Sequence, residues 1–321
     1  MKKYCILIAV IAPLLIPRPG SWAAEEVRFA ESQGIKLIVI PSGEFSMGSS
    51  EADFVLLREL YPGTSENLAA SLEQPAHRVK ITNLAAMSAH EITVGQFRKF
   101  VNETGHQTDV ERDLEGAPGW IESAGVYDSP KRQYSWKQTG FPQSAQHPVV
   151  NVSWNDAVAY CKWLSRKDGR EFRLPTEAEW EYCARAGSTS VFPDGHDPRQ
   201  LVRSGNVSDS VAKAKLTRYP DGRYEEGSDG FAFTAPVGHL PANRFGLHDM
   251  IGNVAEWCSD KQRRYDESAQ TDPLGDPAIF TCVTRGGSWA HSGLVSRPAF
   301  RSGWSPNERS ITIGFRIAQI R

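Results

Sequence analysis

The sequence predicts a mixed helix-and-strand domain, rich in turns and irregular backbone. Three observations carry this. Of the 321 residues, 27 are Gly and 20 are Pro, and long periodic runs are few. Three capping boxes mark helix starts. The apolar runs between them are short and bounded by Gly or Pro, as strands are. With 40% hydrophobic residues, the chain can bury the core of one large domain or two ordinary ones. The formal net charge is −2 and no Lys/Arg cluster stands out, which excludes the electrostatic footprint of a nucleic-acid binder.

The first 23 residues read as a signal peptide. Lys2 and Lys3 form a basic start, and Cys5–Ile16 is an apolar run too short to span a bilayer. Ser21-Trp22-Ala23 fits cleavage after Ala23. Cys5 opens the apolar run and does not follow a cleavage box, so it does not read as a lipid-anchor site. The expected mature protein is periplasmic or secreted, with no stable membrane insertion. Residues 24–34 read as an N-terminal extension, and 35–321 as the domain.

Along the domain, Lys36–Met47 predicts two short strands around a Pro-Ser-Gly-Glu turn, because Leu37–Ile40 is β-branched and stops at Pro41. Thr93 and Gln96 cap a helix that Gly105 closes. Ser153 and Asp156 start a second, with Trp154, Ala157, Val158, Cys161 and Leu164 on one face. Thr176 and Glu179 start a third, stopped at Gly187. Arg112–Lys137, with Trp120 and Tyr127, reads as an exposed insertion. Gly187–Asp249 has little periodicity, and a stretch of that length needs an organiser other than a core. Short strands are expected in Thr281–Trp289 and Ile311–Ile317, with His291–Arg309 largely irregular between them.

Removing the leader leaves four cysteines, Cys161, Cys183, Cys258 and Cys282. An even number in an exported chain permits disulfides, and buried free thiols fit equally well. There is no Cys-x-x-Cys pair and no zinc spacing.

Three constellations could carry chemistry. In DMIGNVAE, Asp249 and Glu256 bracket a Gly-Asn turn, and carboxylates with turn carbonyls are what a hard cation such as Ca²⁺ takes. On residue chemistry alone a plain turn is the simpler reading. Asn206-Val207 with Asp229-Gly230-Phe231 could form a similar oxygen cage across the long loop. In Arg285–Trp289 (RGGSW) two glycines suggest close backbone approach, a bulge or a cleft floor. Ser288 shows no His/Asp partner in sequence and does not read as a nucleophile. Ser288, Trp289, His291 and Arg297 are the candidate cleft residues. Arg297 and Arg301 read more simply as structural arginines paired with surface acids.

Taken together, these segments resemble the formylglycine-generating enzyme, or sulfatase-modifying factor, family. The resemblance runs in order through IPSGEFSMGS (Ile40–Ser49), HEITVGQFRKFV (His90–Val101), HPVVNVSWNDAVAYCKWL (His147–Leu164) and FRLPTEAEWEYCARAG (Phe172–Gly187). It continues through SDGFAFTAPVG (Ser228–Gly238), NRFGLHDMIGNVAEW (Asn243–Trp257), RGGSW and IGFRI (Ile313–Ile317). It implies an α+β fold with low regular secondary structure and a C-type-lectin-like core. It also implies two structural calcium sites. One would use Asn206, the Val207 carbonyl, Asp229 and the Phe231 carbonyl. The other, the better supported by the resemblance, would use Asp249, the Gly252 and Val254 carbonyls, and Glu256. The family's enzymes carry two copper-binding cysteines soon after Gly-Gly-Ser, and soft thiolates select Cu(I). Here Gly286–Ser302 contains no cysteine, so copper is not expected. The His-x-x-x-His-x-Glu motif of iron-dependent relatives is absent too. The resemblance therefore implies a divergent oxidative maturation factor acting on an exported peptide or protein. The alternative is a non-catalytic, calcium-stabilised module that binds a peptide or glycan. Formylglycine generation through repositioned Cys258 and Cys282 is a third reading.

Overall fold

The computed structural model describes residues 29–63, 70–113, 115–216 and 223–321. The signal-peptide reading therefore lies outside the described residues. Fourteen strands form four small sheets among these residues. The first sheet orders β1 (Phe29–Ser32), β2 (Ile35–Val39), β5 (Leu84–Ser88), β14 (Ala318–Ile320) and β8 (Phe172–Arg173), all antiparallel. Strand β1 belongs to the segment read as an extension, and it pairs along β2 through the Gln33-Gly34 turn. The second sheet orders β10 (Gln270–Thr271), β4 (His77–Ile81) and β3 (Gly43–Met47). The predicted strands on either side of Pro41 thus enter different sheets. The third orders β12 (Arg301–Trp304), β11 (Cys282–Arg285), β9 (Ala255–Lys261) and β13 (Ile313–Gly314).

The predicted caps form. In α2 (Val94–Thr104), α3 (Trp154–Asp168) and α4 (Glu177–Arg185) the cap hydroxyl accepts from the third helical N–H while that residue's side chain reaches back. Gly105 and Gly169 end α2 and α3 in the left-handed conformation. In α4 the left-handed cap is Ala186, one residue before the expected Gly187. A further helix, α1 (Glu51–Leu60), starts at a Ser50–Asp53 box that the sequence reading passed over.

Helices α2 and α3 pack on one core, where Phe97, Phe100, Tyr160, Trp163, Trp257 and Phe315 meet. Helix α4 is central, with all nine residues buried. Its apolar side joins Ile38, Met87, Leu247 and Val283. Two of its acids face the third sheet, where Glu181 pairs with Arg285 and Glu177 with Arg301, while Glu179 pairs with Arg173 on β8.

The Arg112–Lys137 segment is not an exposed insertion. Ala117–Ile121 (β6) and Val126–Lys131 (β7) form a hairpin, the fourth sheet. It folds inward because its aromatic rings find partners. Trp120 is 3% exposed, and it meets Phe233 and Trp289 edge-on while Tyr127 stacks on Trp289.

Candidate functional site

Asp229 organises the long loop. Its carboxylate accepts from the Val207 N–H at 2.8 Å and the Phe231 N–H at 2.9 Å. Its own N–H donates to Asp209. Burial pushes the Asp229 carboxyl up to about 7. Asn206 is fully buried, and its Nδ2 donates to the Phe233 carbonyl and to Asn253 Oδ1. With the amide so fixed, Asn206 Oδ1 is buried without a partner. Asn206, Val207, Asp229 and Phe231, far apart in sequence, are thus brought together. The set fits an oxygen-seeking cation, since it offers a carboxylate and an orphaned amide oxygen.

The Asp249–Glu256 segment reaches the same region by a tight backbone path. Asp249, Gly252 and Asn253 all have positive φ. A Cβ on Gly252 would run into the Asn206 carbonyl, so only glycine fits there. Asp249 Oδ2 accepts from the Gly238 N–H at 2.6 Å. Glu256, on β9, takes three donors: Arg316 Nε at 2.6 Å, Arg316 Nη2 at 2.7 Å and Trp180 Nε1 at 2.8 Å.

The sequence reading missed Glu91. It is fully buried, its Oε1 accepts from Asn253 Nδ2 at 3.0 Å, and its Oε2 has no partner. Burial, then the charges of Asp249 and Glu256, push the Glu91 carboxyl well above its usual range. Burial also raises Glu256, against the pull of Arg316. These three buried carboxylates share the single guanidinium of Arg316. A divalent cation beside them would also meet Glu91 Oε2, a buried oxygen without a partner. The two sets fit a cation for different reasons. The Asn206–Asp229 set holds an orphaned oxygen, whereas Glu256 is already occupied by Arg316 and Trp180. The geometry therefore favours the first set, the reverse of the order implied by resemblance. Among the described residues no three His, Cys, Asp or Glu side chains form a metal cluster unaided, so a cation at either set would have to draw on carbonyls as well.

The candidate cleft needs correction. Ser288, Trp289 and Arg297 are buried and line no open cleft; of the four candidates only His291 is partly exposed. Trp289 is the centre of an aromatic cluster with Phe141 and Phe233. Arg297 grips buried Glu73 with two bonds of 2.7 and 2.8 Å, and Arg301 grips Glu177. These partners are interior acids, not the surface acids expected. Ser288 does have a histidine partner, His291 Nδ1 at 2.7 Å. The contact spans one turn and Ser288 is sealed from solvent, so it fixes the segment's conformation. Gly286 and Gly287 have positive φ, and a Cβ on Gly287 would strike Ser296, which confirms the close approach. Beside this segment lies a surface cavity of about 570 Å³, walled in part by Tyr61, Pro198, Arg199 and Tyr224. Glu225 ties the cavity to the segment by accepting from Tyr61 Oη and the Gly293 N–H.

The sequence profile of the Sulfatase-modifying factor enzyme 1-like domain matches residues 23–320. The chain belongs to the sulfatase-modifying factor family. Among similar relatives, a formylglycine-generating enzyme of Streptomyces coelicolor is 33% identical over 97% of this chain and 96% of its own. The Bos taurus formylglycine-generating enzyme is 32% identical, covering 88% of this chain and 74% of its own. The Mus musculus inactive C-alpha-formylglycine-generating enzyme 2 is 29% identical over 91% and 88%. Among solved structures, PvdO from Pseudomonas aeruginosa superposes with a TM-score of 0.60 at 27% identity, covering 89% of this chain and 95% of that one. Treponema denticola variable protein 1 reaches 0.61 at 21% identity, covering 92% and 99%, a likeness of fold. The fold is thus the α+β fold of the formylglycine-generating enzymes.

In this sulfatase-modifying factor family member the four described cysteines are buried and free. Cys161 and Cys282 sit in one core, Cys183 and Cys258 in the other. Cys258 and Cys282 lie on neighbouring strands but in different cores, so they form no dithiol. Burial pushes Cys161 up to about 12 and raises the other three thiols.

Proposed function

We propose that this protein is an exported, calcium-stabilised member of the sulfatase-modifying factor family that recognises a peptide or protein without copper-dependent oxidation. The observation that carries this is the placement of its thiols. Gly286–Ser302 has no cysteine, and the remaining four are split between two cores with no thiolate-favouring neighbour strong enough to offset burial. Cu(I) needs soft, deprotonated sulfur, and this donor set does not supply it.

The recognition surface in this reading is the face around His291 and the cavity joined to it through Glu225. It combines two tyrosines with arginines and acids, a mixture suited to an extended peptide with polar side chains. The calcium cages would hold the long Gly187–Asp249 stretch that forms part of this face. The leader expected at residues 1–23 supports an exported setting, where calcium is plentiful.

The test uses a cysteine-containing sulfatase-type peptide with the full mature chain, calcium and Cu(I). Binding without dioxygen consumption and without conversion of the peptide cysteine is expected. Formylglycine in the peptide, detected by mass spectrometry, would overturn the reading. Binding of glycans in place of peptides would correct the ligand class.

A further inference from the structure

We propose that the two cation cages are energetically coupled and that Asn253 is the residue that couples them. The inference rests on the calcium reading above.

Asn253 is fully buried and held at φ 54° between Gly252 and Val254, whose carbonyls belong to the second cage. Its backbone N–H donates to the Asn206 carbonyl at 2.7 Å, so the turn of the second cage is hydrogen-bonded to the first. Its side chain does the same with both ends. Oδ1 accepts from Asn206 Nδ2 at 3.1 Å and from the Ala235 N–H at 2.8 Å. Nδ2 donates to Glu91 Oε1 at 3.0 Å.

This chain of bonds has one consistent polarity. A cation on Asn206 Oδ1 turns Asn206 Nδ2 toward Asn253, which must then present its oxygen. The Asn253 amide is thereby turned so that its NH₂ points at Glu91. A cation on the Gly252 and Val254 carbonyls fixes the backbone on either side of Asn253, and so the place from which its Oδ1 reaches Asn206 and its NH₂ reaches Glu91. Flipping the Asn253 amide would break the bonds to Asn206, Ala235 and Glu91 together. Each cation therefore stabilises the amide orientation that the other requires. Coupling of this kind is reciprocal, with a typical size of about 5- to 150-fold in affinity. Asn253 touches neither cation in this scheme; it is a positioning residue.

The test is calcium titration of the full chain by calorimetry, with Asp249→Ala disabling the second cage and Asp229→Ala the first. In the otherwise wild-type chain, either substitution should weaken calcium at the remaining cage by about fivefold or more. Two further backgrounds separate coupling from damage. Asn253→Gly keeps the left-handed backbone and its N–H, and Asn253→Asp keeps the shape and the acceptor but removes the NH₂. In both, the chain should still bind calcium, and disabling one cage should change the other by less than about twofold, below the usual coupling range. Two calcium ions binding independently in the wild-type background would overturn the coupling and leave the calcium reading standing. So would coupling that persists undiminished in both Asn253 variants. No calcium binding in any background would overturn the calcium reading and this inference with it.

Discussion

Asn206 shows at the residue scale how the candidate site is specified. Its amide nitrogen has two acceptors and its amide oxygen has none, so the residue is half-satisfied unless something positive sits at Oδ1. Asp229→Ala removes the neighbouring carboxylate. It should abolish most of the calcium-dependent rise in melting temperature, measured by calorimetry with calcium and with chelator. An unchanged calcium response would count against this cage. The cysteines give a second prediction at this scale. Buried thiols with raised pKa react slowly, so the native chain should resist iodoacetamide at neutral pH. Unfolding without reductant should release all four described thiols, and a count of two or none would mean that disulfides form. Both sets are legible in the sequence as Asn-, Asp- and Gly-rich turns at Asn206, Asp229, Asp249 and Gly252, and residue chemistry alone reads such turns most simply as turns. Glu91 is not legible. A single acid between His90 and Ile92 gives no sign that folding will set it beside Glu256, 165 residues later (256 − 91). Nor does RGGSW reveal that Trp289 points into the interior, since two glycines fit a cleft floor and a tight core crossing equally well.

At the scale of elements, α4 is the support on which the third sheet rests. Of its three acids, Glu177 and Glu181 hold Arg285 and Arg301, and Arg185 closes the chain on Glu181 at 2.8 Å. Burial alone would raise the Glu181 carboxyl, but Arg185 and Arg285 overcome it and hold it below its ordinary range. A carboxyl depressed in the folded state contributes stability above its unfolded pKa and loses it as pH falls through the folded one. Glu181→Gln should therefore cost about 3–5 kcal/mol at neutral pH, the usual cost of orphaning a buried charge. Urea titrations should show the gap between variant and wild type closing as the pH drops below the carboxylate range. A gap that does not narrow would mean the ion pairs are not its source. The caps of α2, α3 and α4 were readable because Ser/Thr-x-x-Gln/Glu/Asp is a local pattern with local consequences. The sheets were not, because β3 and β2 are adjacent in sequence yet pair with different partners. The hairpin β6–β7 reads as exposed in the sequence for the same reason. Its burial depends on Trp289 and Phe233, which are distant in sequence. Trp289→Ala should cost about 3–5 kcal/mol and loosen the hairpin, visible as faster amide exchange across Ala117–Lys131.

For the whole molecule, a long irregular stretch replaces what most domains of this size build from helices and strands. Between α4 and β9 the described chain has only short helices, and the proposed cages would lie where that stretch meets the Asp249–Glu256 turn. Stability should therefore depend on calcium through mass action, with about 2.7 kcal/mol gained at a free concentration one hundred times the dissociation constant. Chelator should lower the melting temperature by several degrees and expose Gly187–Asp249 to proteolysis first. The family scaffold is kept while Gly286–Ser302 carries no cysteine, and the proposal is calcium binding without copper. Elemental analysis of the full mature chain, equilibrated with both calcium and Cu(I) and then freed of loose ions, tests it most directly. Calcium bound in both cages with no stoichiometric copper is the expected result. One copper per chain, or no calcium at all, would contradict it.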